Sequence, residues 1–135
     1  MTYSNRLIDL YNNPLNYGVQ DSPTVSCELS NPLCGDTIRI DISFNRGCIN
    51  RITWSGDGCL ISQVGASLLT ETIKNISIDQ IQNFQKDQLL DLIGISLNKT
   101  RMQCALLSLN ALNKLMGDMQ LAGFKNCECE ILIDG

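Results

Sequence analysis

The chain has 135 residues, of which 44% are hydrophobic and 18% charged, with a formal net charge of -4 and no histidine. A chain of this length can bury its own core, and the composition is that of a globular protein. The acidic balance argues against nucleic acid as a partner, and no run of about 18 apolar residues predicts a membrane span. Because no cationic start precedes an apolar run, we predict a cytoplasmic protein without a signal peptide.

The first predicted element is a short helix near the amino terminus. In "SNRLIDLYNNP", Leu7 and Tyr11 recur at helical spacing. Thr2 or Ser4 can cap the start of this helix, and Pro14 lies just beyond its end.

Three strands are predicted next. The stretch "TIRIDISF" alternates strictly, which places its isoleucines on one face and its polar residues on the other. The stretch "TVSCELS" precedes it, and "CINRITWSG" follows after a tight turn at 45–47. We therefore predict an antiparallel meander with one buried face and one wet face.

Helical periodicity takes over after the third strand. A long helix is predicted from Cys59 through "CLISQVGASLLTETIK", and two short helices over 78–84 and 87–93, the second closed by Gly94. A last helix is predicted from about Met102 to Gly117. Strands first and helices second indicate an α+β sandwich, a small three-stranded antiparallel sheet covered on one face by helices. We expect one domain over 1–135, with a variable tail from about 118.

The seven cysteines are the most informative residues. An odd number without a C-x-x-C pair, in a reducing compartment, argues against a disulfide framework. The predicted elements place Cys34 and Asp36 in the turn between the first two strands, and Cys59 and Cys104 in the first turns of the two long helices. Helix amino termini favour a thiolate. Three thiolates and one weaker carboxylate ligand form a plausible tetrahedral set that binds a metal and also releases it.

Some of these residues also have simpler interpretations. Cys27 and Cys48 match no ligand pattern and are predicted to be small buried hydrophobes. Asp36 could merely cap the turn after Gly35. Cys127 and Cys129, in "NCECEIL", would point to one side of a strand, where they could share a metal, form a redox pair or pack against the sheet.

Four stretches carry a resemblance to a known family. "LIDLYNNPLNYGV", "NPLCGDTIRI", "GDGCLISQVGASLLTE" and "RMQCALLSLNAL" occur in the order, and with roughly the spacing, of the U-type iron-sulfur scaffolds. That family includes Isc-type and Suf-type scaffolds and the amino-terminal domain of NifU-like proteins. The resemblance implies that Cys34, Asp36, Cys59 and Cys104 hold a transient [2Fe-2S] cluster, and that zinc is a common occupant on purification. In the family, replacement of this aspartate is used to trap bound clusters.

The resemblance also implies partners and a function. A cysteine desulfurase would supply sulfur, and apo iron-sulfur proteins or carriers would receive the cluster, from a monomer or weak homo-oligomer. The candidate acceptor of the persulfide sulfur is Cys104 by Isc-type logic and Cys34 by Suf-type logic. The alternative function is a zinc-dependent sulfurtransferase that relays sulfur without holding a cluster, which would make the protein an enzyme. A purely structural zinc domain is a third interpretation. It is disfavoured because a carboxylate is a poor ligand for a permanent structural zinc site.

The departures from the family patterns are mixed. Gln103 stands where Isc-type members have a histidine, and their Leu-Pro-Pro-Val-Lys segment is absent. Arg101 resembles the arginine of Suf-type members and is predicted to pair with Asp36 or to offset the thiolate charge, although it could be an ordinary solvated charge. The stretch between Cys59 and Cys104 has the shorter, Isc-type length. The resting occupant, zinc or a cluster, is therefore left open.

Overall fold

A computed structural model describes residues 4–45, 48–74 and 76–121. Of residues 120 and 121 it describes the backbone alone. The pair Cys127 and Cys129 lies outside these residues, as does most of the predicted turn at 45–47. The elements in chain order are α1 (Asn5–Asn12), β1 (Val25–Asn31), β2 (Asp36–Asn45), β3 (Cys48–Asp57), α2 (Leu60–Ile73), α3 (Ile78–Ile81), α4 (Lys86–Ile93), α5 (Lys99–Ala105) and α6 (Leu107–Leu121).

The three strands form one antiparallel sheet in the order β1-β2-β3. Ile38, Ile40 and Ile42 alternate along β2 and are fully buried, because α2 and α6 pack over that face of the sheet. The α+β class and the three-stranded sheet are confirmed. None of the helices in the described ranges is long and apolar enough to cross a membrane.

The opposite face of β2 is less exposed than alternation predicted. Asp41 keeps only 1% of its surface exposed, and its carboxylate is ion-paired with Arg39 at 2.8 Å. The segment after α1 covers it: the Gln20 backbone N–H donates to the Asp41 carboxylate at 3.2 Å, and the Gln20 side chain bonds the Asp41 carbonyl at 3.0 Å. A polar side chain on a strand thus became buried because a loop supplied its hydrogen bonds.

Local capping signals were predicted well. The Ser4 side chain accepts a hydrogen bond from the Leu7 N–H at the start of α1, and Gly94, with φ 78°, ends α4. Helix α3 is shorter than predicted, since it ends at Ile81.

The predicted last helix is in fact two helices, which corrects the position of Cys104. Helix α5 begins at Lys99, where the Asn98 side chain caps it, and the chain turns at Leu106 before α6 begins. Cys104 therefore lies in the last turn of α5 and not in the first turn of a long helix. Glycine and proline are both absent from 103–108, and the apolar period continues across the break, so local sequence did not reveal it.

Candidate metal centre

The turn between β1 and β2 presents Cys34 to solvent. The Asn31 carbonyl accepts from the N–H groups of Cys34 at 3.3 Å and Gly35 at 2.8 Å, while the Asn31 side chain accepts from Leu33 N–H at 3.0 Å. Gly35 has φ 76°, a conformation that favours glycine. Asp36 was predicted to lie in the turn but is the first residue of β2.

The start of α2 holds the Asp36 side chain. The Cys59 backbone N–H donates to Asp36 Oδ1 at 3.2 Å, and the Ser62 hydroxyl donates to Asp36 Oδ2. A Cβ on Gly58 would lie 2.9 Å from Asp36 Cγ, so a larger residue there would displace the carboxylate. Asp36 is consequently only 5% exposed, and its contacts come from a neighbouring element and not only from its own turn.

Helix α5 brings Cys104 against the exposed Cys34. Cys104 is 1% exposed, and its thiol donates to Cys34 Sγ at 3.5 Å. One donor atom from each of Cys34, Asp36 and Cys104 lies within 4.8 Å of the other two. Cys59 is not part of this group of three. Its Sγ lies 3.5 Å from the Ser62 hydroxyl, which itself bonds Asp36.

The electrostatics favour a neutral thiol at Cys104 and a charged carboxylate at Asp36. Burial raises the pKa of Cys104 to about 12, and the hydrogen bond to Cys34 and the proximity of Cys59 act in the same direction. Burial also acts to raise the pKa of Asp36, but hydrogen bonds from Ser62, Cys34 and Cys59 together lower it below its usual value. A metal would therefore have to displace a proton from Cys104.

The predicted placement at a helix amino terminus is confirmed for one cysteine and wrong for another. Cys59 is the N-cap residue of α2, where backbone N–H groups favour negative charge. Cys104 is at the carboxyl end of α5, where the helix dipole disfavours a thiolate. The expectation for Cys104 was wrong because the break at Leu106 placed it at the opposite end of a helix.

The remaining predicted residues lie outside the group of three. Cys27 is half-buried on β1 opposite Ile40, and burial raises its pKa. Cys48 is the first residue of β3. Arg101 is exposed on α5, and its backbone N–H bonds the Asn98 side chain at 2.8 Å. Its predicted pairing with Asp36 stays a prediction.

Sequence reasoning missed Ser62. The serine was part of the stretch "GDGCLIS", but it received no role because a serine on an apolar helix stripe carries no distinctive signal. Its fully buried hydroxyl joins Asp36 to Cys59.

The donor set fits zinc or iron. Two sulfur atoms and one carboxylate oxygen suit these metals, whereas magnesium and calcium prefer oxygen alone. Thiolates about 2.3 Å from a tetrahedral zinc lie roughly 3.8 Å apart, close to the 3.5 Å that separates Cys34 Sγ from Cys104 Sγ. The two thiols are therefore close to the separation that a single zinc ion requires.

Comparison with known proteins assigns the family. The model of the NifU-like N-terminal domain matches residues 2–123. The chain belongs to this NifU-like family. The zinc-dependent sulfurtransferase SufU of Bacillus subtilis is 33% identical, over 83% of this chain and 87% of its own length. The iron-sulfur cluster assembly scaffold protein IscU of Azotobacter vinelandii is 28% identical, over 87% of this chain and 94% of its own length.

The fold of this NifU-like chain matches solved structures. A putative iron-sulfur cluster assembly scaffold protein for the SUF system, from Fervidobacterium islandicum AW-1, superposes with a TM-score of 0.73 at 20% identity. The match covers 84% of this chain and 96% of that one. The family and the fold are therefore those that the four sequence stretches predicted.

Proposed function

We propose that the protein is a scaffold for iron-sulfur cluster assembly. It accepts sulfur from a cysteine desulfurase and, with ferrous iron and electrons from an external reductant that convert the persulfide sulfur to sulfide, assembles a labile [2Fe-2S] cluster on Cys34, Asp36, Cys59 and Cys104. It then passes the cluster to apo-proteins or carriers. The observation that carries this proposal is the group formed by Cys34, Asp36 and Cys104, whose donor atoms lie within 4.8 Å of one another with one thiol open to solvent.

Exposure favours Cys34 as the first sulfur acceptor. A desulfurase presents sulfur as a persulfide, and an attacking thiolate takes the outer sulfur while the desulfurase thiolate leaves. Cys34 is exposed on a turn, whereas Cys104 is buried and its pKa is raised to about 12. Cys104 could receive sulfur from Cys34, which it contacts at 3.5 Å.

Asp36 supports release of the cluster. A carboxylate oxygen is a harder and weaker ligand than thiolate for the iron of a cluster. A set with one oxygen is therefore easier to open than a set of four sulfurs, and a recipient thiol could enter at that position. Arg101, three residues before Cys104, would offset the negative charge of the thiolates.

A zinc-dependent sulfurtransferase is the second candidate function. The sulfurtransferase SufU of Bacillus subtilis, at 33% identity, supports it, as does the suitability of a sulfur and oxygen donor set for zinc. Zinc, when bound, would stabilise the thiolate forms of the cysteines that it contacts. If the protein is a sulfurtransferase, Cys34 would carry the sulfur to the next acceptor and no cluster would persist.

Free thiols at the site need a reducing compartment, so we place the protein in the cytoplasm. The test is anaerobic incubation with ferrous iron, cysteine, a thiol reductant and a cysteine desulfurase, followed by measurement of iron, zinc and acid-labile sulfide. Asp36→Ala is the site variant, and Cys27→Ser is the matched control, because Cys27 lies outside the group of three.

The outcomes separate the two candidates. Iron and sulfide in the ratio of a [2Fe-2S] cluster, held longer by Asp36→Ala and unchanged in Cys27→Ser, would establish a scaffold. Zinc that iron does not displace, together with faster desulfurase turnover, would establish a sulfurtransferase. Absence of both metals and of any effect on the desulfurase would overturn both proposals.

A further inference from the structure

Ser62 lies at the point where Asp36 meets α2. It is the third residue of that helix, and none of its surface is exposed. Its hydroxyl donates to Asp36 Oδ2, while the Cys59 backbone N–H donates to Oδ1 at 3.2 Å. The two donors hold the two oxygens of one carboxylate from the same turn of α2.

This arrangement leaves Asp36 able to bind a metal. An ionised carboxylate offers about four lone-pair sites, and the two bonds from α2 occupy two of them. A metal can therefore take a remaining lone pair without breaking either bond. Because the carboxylate is 5% exposed, water cannot readily replace a donor that is removed.

The Ser62 hydroxyl also joins Asp36 to Cys59. It lies 3.5 Å from Cys59 Sγ, and it has a single hydrogen, which the geometry directs to Asp36 Oδ2. The hydroxyl oxygen can accept from the Cys59 thiol in the metal-free protein. Loss of that thiol proton leaves the bond to Asp36 in place.

We propose that Ser62 is a positioning residue that fixes the orientation of Asp36 for metal binding. The inference rests on the proposed function, because it assumes that Asp36 is a ligand. Partners that orient metal ligands typically change metal affinity about 10- to 100-fold when they are removed. Ser62 acts through Asp36 and is not itself a ligand.

A second buried serine provides a matched control. Ser108 of α6 is likewise fully buried, but its hydroxyl has no hydrogen-bond partner within the described residues. Both Ser62→Ala and Ser108→Ala remove a hydroxyl from a buried helix position. Only the first should change the metal site.

The experiment measures the affinity for zinc alone, by competition with a chromophoric chelator. Ser62→Ala should weaken binding about 10- to 100-fold, Ser62→Thr should restore most of the affinity, and Ser108→Ala should leave it unchanged. In an Asp36→Ala background, Ser62→Ala should have no further effect, because the group that it positions is gone. Thermal unfolding of each metal-free variant shows whether it is folded.

Two outcomes overturn the inference while leaving the site intact. Either Ser62→Ala binds zinc as tightly as Ser108→Ala, or its effect persists in the Asp36→Ala background. If Ser62→Ala does not fold, Ser62→Thr and Ser62→Val are compared instead, because they match in size and differ in the hydroxyl. Equal zinc affinities of these two variants would overturn the inference. Zinc binding that Cys34→Ser leaves unchanged would instead refute the proposed site itself.

Discussion

Helix α2 packs closely against α5 at Gly65, where there is no room for a side chain. Replacement of Gly65 by alanine therefore tests how the site is assembled. A Cβ on Gly65 would lie 2.6 Å from the carbonyl oxygen of Ala105, the residue after Cys104. Ordinary van der Waals contact with a Cβ begins at 3.4 Å, so α5 would have to move by roughly 0.8 Å. That movement would shift Cys104, the residue before Ala105, and disturb its 3.5 Å contact with Cys34.

The energetic cost can be worked from two opposing effects. Overpacking a well-packed interior costs about 1 to 3 kcal/mol, and the better helix propensity of alanine returns about 1 kcal/mol. We expect Gly65→Ala to lose about 1 kcal/mol of stability, which lowers Tm by roughly 3 to 5 °C. Zinc affinity should fall as well, because one thiol is displaced.

Gly117 is the matched control within α6. A Cβ there would meet nothing in the described structure within 4 Å. Gly117→Ala should therefore gain about 0.5 to 1 kcal/mol from helix propensity and leave zinc affinity unchanged. The assay is thermal unfolding of both metal-free variants by circular dichroism. A Gly65→Ala variant that gains as much stability as Gly117→Ala would refute the close contact between α2 and α5.

Three further predictions use other parts of the chain. In the metal-free protein, iodoacetamide should alkylate the exposed Cys34 before the buried Cys104, read by mass spectrometry; the reverse order would contradict the structure. Asp36 has a pKa below its unfolded value, so its charge stabilises the fold above that value and the benefit is lost as the pH falls through the folded pKa. Asp36→Asn should thus have a lower free energy of unfolding than the unaltered protein at neutral pH, and acid unfolding curves should show this difference shrinking below about pH 4. A difference that does not depend on pH would contradict this reasoning. Trp54→Phe removes the 2.8 Å bond from the indole N–H to the Leu15 carbonyl and should cost about 1 to 2 kcal/mol in urea unfolding; an unchanged midpoint would count against it.

The sheet was predictable because its signal is local. Alternation along β2 separates Ile38, Ile40 and Ile42 from their polar neighbours, and the helices cover the apolar face. The burial of Asp41 on the other face was not predictable, because it depends on Gln20, more than twenty residues earlier in the chain. Alternation reports the face on which a side chain lies and not what later covers it.

Three of the four candidate site residues lie together in the fold, and their arrangement could not be predicted from sequence. Motif order singled out Cys34, Asp36, Cys59 and Cys104, and the fold brings all of these except Cys59 within 4.8 Å of one another. The break at Leu106 leaves the apolar period intact, so the end of the helix at which Cys104 lies could not be read from sequence. Ser62 was missed because its importance comes from a tertiary contact with Asp36.

Both proposed functions depend on one claim, that Cys34, Asp36, Cys59 and Cys104 act together as the ligands of one metal centre. X-ray absorption at the zinc edge of the zinc-loaded protein tests that claim most directly. It should show three sulfur ligands at about 2.3 Å and one lighter ligand at about 2.0 Å, and Cys59→Ser should reduce the sulfurs to two. Two sulfurs in the unaltered protein, or a Cys59→Ser spectrum that matches it, would contradict the four-residue site.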